Sequence, residues 1–104
     1  MSETVWIVQT TLSGEMNEAE VGMWCQPIID SNLAACVEVK RTNSIFRWDE
    51  RTQNIPEWDV QITTSETKKN KLISEIISKH PYDLPQIIWW SAQSAKEYYD
   101  WVQA

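Results

Sequence analysis

The order of hydrophobic patterns along the chain constrains its fold more than any other feature. Short β-branched or alternating apolar runs predict strands, whereas apolar side chains at helical spacing predict helices. The predicted elements are a strand at 5–8, a helix at 15–31, an extended segment at 33–48, a strand at 58–63, a helix that begins after Ser65 or Thr67 and ends before Pro81, a strand at 85–90 and a short helix at 94–102. This order predicts an α+β fold, a ferredoxin-like βαββαβ antiparallel sheet with a C-terminal helix.

Local signals refine these elements. Leu72, Ile73, Ile76 and Ile77 form one apolar stripe, which indicates an amphipathic second helix. Pro27 falls inside the first helix, so we expect a kink or break near residues 23–26. The first strand is apolar throughout and is therefore expected at the centre of the sheet. Asn17 or Ser13 can cap the N-terminus of the first helix. The polar segment 49–56 reads as a turn that joins two strands into a hairpin.

Length and charge restrict the class of protein. At 104 residues the chain is expected to form one domain, residues 1–104. The net charge of −6 disfavours nucleic acid, and no apolar stretch approaches the ~20 residues that span a membrane. The start of the chain has no signal-peptide pattern, so we expect a cytoplasmic protein in which Cys25 and Cys36 remain reduced, buried thiols.

Seven tryptophans are many for a chain of this size. Tryptophan is rarely buried completely in a small core, so several of these rings are expected to cover a second surface. A four-stranded sheet with two helices on one face also leaves strand edges and part of the other face uncovered. We therefore expect a homotrimer, with Arg47 and Trp48 in the long second strand at a subunit contact.

Several stretches resemble the CutA divalent-cation-tolerance family, in the same order along the chain. They are Leu33-Ala34-Ala35-Cys36, Ser44-Ile45-Phe46-Arg47-Trp48, Glu57 followed by Ile62-Thr63-Thr64, His80-Pro81-Tyr82 with its continuation to Ile88, and Tyr98-Tyr99-Asp100-Trp101-Val102. The resemblance implies a ferredoxin-like subunit, a homotrimer built from extended hairpin strands, and a non-catalytic role in tolerance of copper and other divalent cations.

The metal site implied by the resemblance is incomplete in this chain. Some relatives bind copper through a first-strand cysteine, the histidine before Pro-Tyr and a glutamate after the second proline. Here those positions hold Gln9, His80 and Gln86, so only His80 remains as a candidate metal ligand. Tight transition-metal sites need several convergent ligands. We therefore expect no tightly bound cofactor, and at most weak binding of Cu(II) or another divalent cation.

The sequence argues against an enzyme and leaves one alternative function open. An enzyme is not expected, because a cysteine nucleophile would have His80 as its only imidazole base and residues 10–15 lack the basic group of a phosphate-binding loop. The alternative is a PII-like signalling trimer that binds a small ligand in a pocket lined by Trp48, Tyr82 and Trp90. The same aromatic rings, with Glu57, can instead pack a subunit interface.

Overall fold

Four strands and three helices form the structure. The computed structural model describes residues 3–104. The elements are β1 (Thr4–Ser13), α1 (Glu18–Asp30), β2 (Cys36–Trp48), β3 (Arg51–Thr64), α2 (Glu66–Lys79), β4 (Ile87–Gln93) and α3 (Lys96–Gln103). The strands form one antiparallel sheet in the order β2-β3-β1-β4. This order confirms the predicted ferredoxin-like βαββαβ sheet with a C-terminal helix.

Strand β1 lies at the centre of the sheet, as predicted, but it is much longer than residues 5–8. It pairs with β3 on one side and with β4 on the other. Thr10 and Thr11 belong to the strand although their side chains are polar, because Thr10 pairs with both neighbouring strands and Thr11 still pairs with β3. Thr10, Thr11 and Leu12 are all buried, which makes this half of the strand part of the interior.

Strands β2 and β3 form a long hairpin, and the prediction of a turn over residues 49–56 was wrong. The turn contains only Asp49 and Glu50, both in the left-handed region with φ of 50° and 62°. A two-residue turn of this kind matches the twist of antiparallel strands, so pairing continues without interruption from Trp48 opposite Arg51. Residues 51–56 are mostly exposed, and four of the six are polar. The hairpin makes the subunit elongated, with extents of 46 × 26 × 22 Å.

Helix α1 begins with a reciprocal capping arrangement. The Asn17 side chain accepts from the backbone of Glu20, whose carboxylate accepts from the backbone of Asn17. The prediction of a kink or break near residues 23–26 was wrong, because the helix continues through Pro27 to Asp30. Pro27 lies in the last turn, so it removes a single backbone hydrogen bond close to a helix end. The helix ends at Asp30 with Ser31 as its C-cap, and Asn32, whose φ is 60°, follows the cap in the left-handed region.

The main core lies between the sheet and the two long helices. It contains apolar side chains of all the layers, namely Val8, Leu12, Val21, Cys25, Ile28, Ala34, Trp58, Val60, Ile62, Leu72, Ile73 and Ile76. Three members of the predicted α2 stripe are therefore buried, whereas Ile77 is exposed. Cys25 is buried and Cys36 is half-buried, and burial raises the pKa of both thiols.

Helix α3 covers only one end of the opposite sheet face. Val102 packs there against Val5 and Ile7 of β1. The rest of that face, where the hairpin leaves the body of the subunit, has no helix over it. No helix within residues 3–104 has both the length and the apolar character needed to cross a membrane.

Candidate functional site

A groove of about 940 Å³ lies on the sheet face opposite α1 and α2. Its floor is formed by the outer parts of the β2–β3 hairpin, and its walls come from the loop after β1 and the loop after α2. It is lined by Thr11, Ser13, Glu15, Ser44, Ile45, Phe46, Trp48, Gln53, Ile55, Pro56, Glu57, Tyr82, Asp83, Leu84 and Gln86. We refer to this set of residues as the hairpin groove.

Gly14 positions the first wall of the hairpin groove. Its backbone N–H donates to the carbonyl oxygen of Pro56 at 3.2 Å, and a Cβ at this position would lie 2.4 Å from the same oxygen. Only glycine permits so close an approach between the loop after β1 and strand β3. The guanidinium of Arg41 donates to the Gly14 carbonyl at 3.0 Å from the other side. This contact places Glu15 at the rim of the groove.

Glu57, which is buried, and Tyr82, which is half-buried, form a hydrogen-bonded pair in the lining of the groove. The side chain of Glu57 is only 6% exposed, and the Tyr82 hydroxyl donates to its Oε2 at 2.7 Å. Burial, followed by the hydrogen bond to Glu57, raises the pKa of Tyr82 well above its usual range. Tyr82 therefore remains a protonated donor at neutral pH and fixes the orientation of the carboxylate.

His80 has hydrogen-bond partners at both ring nitrogens. The backbone N–H of Tyr82 donates to Nδ1 at 3.1 Å, so the ring proton of the neutral imidazole is on Nε2. Nε2 donates to the carbonyl of Thr11 at 3.0 Å and lies 2.9 Å from the Thr10 hydroxyl. Burial lowers the pKa of His80. A neutral His80 thus anchors the loop after α2 to strand β1.

The structure brings together some of the residues singled out from the sequence. Trp48, Glu57 and Tyr82 line the hairpin groove, whereas Trp90 lies on β4 opposite Ile7 and does not reach it. Arg47 lies on the opposite face of β2 from Trp48, because successive side chains of a strand alternate. The sequence reasoning did not select Phe46, Asp83 or Leu84. For Phe46 a signal existed, since it shares the two-residue alternation of Trp48.

The residues near His80 do not fit a tight transition-metal site. The lone pair of Nδ1 accepts the Tyr82 amide, so metal ligation at either nitrogen would break a hydrogen bond. The side chain of Gln9 donates to Asp59 at 2.7 Å instead of facing the histidine as a free ligand. Within residues 3–104, no cluster of three or more His, Cys, Asp or Glu side chains is arranged to hold a metal ion.

The sheet order and the long hairpin define a ferredoxin-like α+β subunit with a groove on one face of the sheet. The chain belongs to the CutA1 divalent ion tolerance protein family, whose profile matches residues 6–104. It is 31% identical over 78 residues to the divalent-cation tolerance protein CutA of Thermus thermophilus, covering 73% of this chain and 76% of that one. A CutA homolog of Danio rerio is 29% identical over 73 residues, which are 69% of this chain but only about half (49%) of that protein.

Solved structures of CutA proteins have the same fold. The structure of CutA from Synechococcus elongatus matches with a TM-score of 0.89 and 26% identity, covering 99% of this chain and 91% of that one. A PII-like protein CutA from Nostoc, in its apo form, matches with a TM-score of 0.83 and 25% identity, covering 93% and 92%. These matches confirm the predicted family, and with it the link to divalent-ion tolerance.

Proposed function

We propose that this chain acts as a cytoplasmic, non-catalytic homotrimer in divalent-cation tolerance. The observation that carries the trimer is the pair of uncovered sheet edges. Strand β4 forms one edge and contains no charged residue in its sequence IIWWSAQ. Monomeric proteins usually protect such edges with charges, proline or a covering element, since an open edge pairs readily with another chain. A second copy of the chain supplies the missing partner.

Exposed apolar side chains support association as well. The hairpin exposes Ile45, Phe46, Trp48 and Ile55, and the β4 edge exposes Ile88, Trp89 and Trp90. Trp48 is 51% exposed and Ile45 is 70% exposed, although both sit in a regular strand. Apolar patches of this kind mark protein contact sites more often than free surface. Burying the hairpin against neighbouring subunits removes this area from water.

The non-catalytic part of the proposal follows from the state of the nucleophiles and bases. Burial raises the pKa of Cys25 and Cys36, so neither thiol is a ready thiolate at neutral pH. The single histidine uses both ring nitrogens in hydrogen bonds to the protein. A general base with a free, titrating nitrogen is thus lacking beside either cysteine in the described part of the chain.

We propose that copper and other divalent cations bind only weakly. His80 is the one imidazole, and glutamines occupy positions 9 and 86. A glutamine carbonyl is a poor ligand for a borderline metal ion, and a single imidazole gives little affinity without further ligands held in one geometry. Loose association of Cu(II) with surface carboxylates is the expected behaviour.

Native mass spectrometry and calorimetry test these proposals together. The purified protein should show three times the subunit mass of 12.2 kDa and no stoichiometric copper or zinc. Titration with Cu(II) should give no saturable tight site, in the wild type or in His80→Ala. A monomer at micromolar concentration would refute the trimer. One tight Cu(II) site per subunit that disappears in His80→Ala would refute the proposal of weak metal binding.

A second candidate function is a PII-like trimer that binds a small signalling ligand. The hairpin groove favours it, because a volume of about 940 Å³ lies within the range of small-molecule sites and a buried carboxylate stands inside it. The similarity to a CutA protein described as PII-like points the same way. A small organic molecule retained by the trimer in native mass spectrometry of protein taken directly from cells would support this candidate.

A further inference from the structure

We infer that Trp24 and Lys79 position the hydrogen-bonded pair of Tyr82 and Glu57 from the helix side of the sheet, acting through His80. We call Trp24 and Lys79 the helix clasp, because they join α1 to α2. Neither residue of the clasp lines the hairpin groove. All of the contacts that carry the effect lie within one chain, so neither a trimer nor a ligand in the groove is required.

The helix clasp is a reciprocal contact between the two long helices. The Lys79 ammonium donates to the carbonyl oxygen of Trp24 at 2.6 Å, and the Trp24 indole N–H donates to the carbonyl oxygen of Lys79 at 3.3 Å. The ammonium also lies 4.9 Å from the centre of the Trp24 ring. A lysine in the last turn of a helix commonly interacts with the carbonyls of its own helix. Here the lysine binds a carbonyl of the other helix, so the end of α2 is tied to α1.

His80 follows the clasp directly and connects it to β1. Its ring lies against the Trp24 ring, with centroids 5.8 Å apart and planes at 72°. The backbone of His80 is extended, and Pro81 prevents the helix from continuing. Nε2 of His80 donates to the carbonyl of Thr11, one residue beyond Thr10, where the pairing of β1 with β4 stops. His80 thus occupies the place beside β1 that β4 leaves open.

Tyr82 extends the same series of contacts to the groove. Its backbone N–H donates to Nδ1 of His80 at 3.1 Å, and the two rings lie 5.2 Å apart. Its hydroxyl donates to Oε2 of Glu57 at 2.7 Å. Opening the clasp would remove the ring that packs against His80 and release the helix end from which His80 extends. Tyr82 would then lose the acceptor that holds its backbone, and with it the fixed position from which it binds Glu57.

A clasp that only stabilised the fold would have a different effect. Its loss would raise the population of unfolded molecules, while the folded molecules kept the hydrogen bond between His80 and Tyr82. A positioning role changes the folded state itself. His80 is the chain's only histidine, so NMR of the imidazole nitrogens gives one set of signals. These signals report which nitrogen carries the proton in folded molecules.

NMR of Lys79→Met at about pH 8, where the imidazole is neutral, tests the inference. Methionine keeps an apolar stem and removes the ammonium. In the wild type we expect one tautomer, protonated at Nε2. In Lys79→Met both ring signals of His80 should shift toward the averaged values of the urea-unfolded protein, and the Tyr82 amide signal should shift upfield. The Tyr82 hydroxyl signal, identified by its absence in Tyr82→Phe, should be lost through exchange with water.

Three further variants make the result specific. Lys79→Arg keeps a cationic donor and should retain the wild-type signals. Lys71→Met, on the exposed surface of α2, makes the same change in net charge as Lys79→Met and should leave the signals of His80 and Tyr82 unaltered. Trp24→Phe keeps a ring but removes the indole donor, and it should shift the same signals in the same direction. It decides the question if Lys79→Met does not fold.

Two results would overturn the inference. Wild-type signals in folded Lys79→Met or, if that variant does not fold, in Trp24→Phe would show that the clasp only stabilises the fold. Equal shifts in Lys71→Met would show a general effect of charge. Light scattering on the same samples reports the oligomeric state separately, so a failure of the trimer and a failure of the positioning role are distinguished.

Discussion

Replacing each of the two glycines by alanine should have opposite effects on stability. At Gly14 an added Cβ would lie 2.4 Å from the carbonyl oxygen, 2.7 Å from the carbonyl carbon and 3.0 Å from the Cβ of Pro56. The two nearest atoms are backbone, so no side-chain rotation relieves the clash. At Gly22, inside α1, the added Cβ meets nothing within 4 Å. The same chemical change is therefore obstructed at one position and unobstructed at the other.

The size of each effect follows from these contacts. In Gly14→Ala the loop after β1 must move away from Pro56, which costs about 1–3 kcal/mol for overpacking. The movement also breaks the 3.2 Å hydrogen bond from the Gly14 amide to Pro56, which adds about 1 kcal/mol. Gly22→Ala should stabilise by about 0.5–1 kcal/mol, because alanine loses less backbone entropy in a helix. The two variants should differ by roughly 2.5–5 kcal/mol in the free energy of unfolding.

Urea unfolding of both variants at equal subunit concentration measures this difference. Equal concentration is needed because association contributes to apparent stability. A loss of ~1 kcal/mol shifts the melting temperature of a domain of this size by about 4–8 °C, so thermal melts give an independent reading. If Gly14→Ala unfolds at the same urea concentration as the wild type, the contact with Pro56 relaxes freely. The argument that only glycine permits this approach would then be refuted.

Three further predictions concern the hairpin turn, the subunit contact and His80. Glu50→Gly should raise the free energy of unfolding by about 1 kcal/mol, because the left-handed φ of 62° is strained for glutamate and not for glycine; unchanged urea unfolding would contradict this. Trp48→Ala should weaken the trimer by about 2 kcal/mol or more in sedimentation equilibrium, and an unaltered oligomer would show that the ring is merely exposed. Burial lowers the pKa of His80 from 6.5, so the unfolded state binds its proton first and stability should fall as pH drops below about 6.5. A His80→Gln variant that keeps the same pH slope would exclude His80 as its cause.

The fold was predictable from the sequence because each core face carries a clear periodicity. Leu72, Ile73 and Ile76 mark α2, and the alternation from Trp58 to Ile62 marks the inner half of β3. The outer half of β3, residues 51–56, was missed because it is mostly exposed and carries no apolar alternation. Its strand structure comes from pairing across a two-residue turn, which lacks the glycine that usually signals one.

The candidate site was only partly predictable, because its contacts join distant parts of the chain. Trp48, Glu57 and Tyr82 were selected by resemblance and composition, and all three line the hairpin groove. The hydrogen bond between His80 and Thr10 spans 70 positions, and no local pattern encodes it. The close approach of Gly14 to Pro56 is equally invisible in the sequence, since a glycine after a strand reads as an ordinary turn.

The central place of β1 has a consequence for synthesis of the chain on the ribosome. Both neighbours of this strand are translated after it, β3 ending at Thr64 and β4 at Gln93. Translation adds about 5–20 residues per second, so roughly 4–16 s pass between the completion of β1 and the completion of β4. During that interval the hairpin and α1 can already form, because their contacts are local and form within microseconds. The nascent sheet therefore leaves one edge of β1 unpaired until β4 has been synthesised.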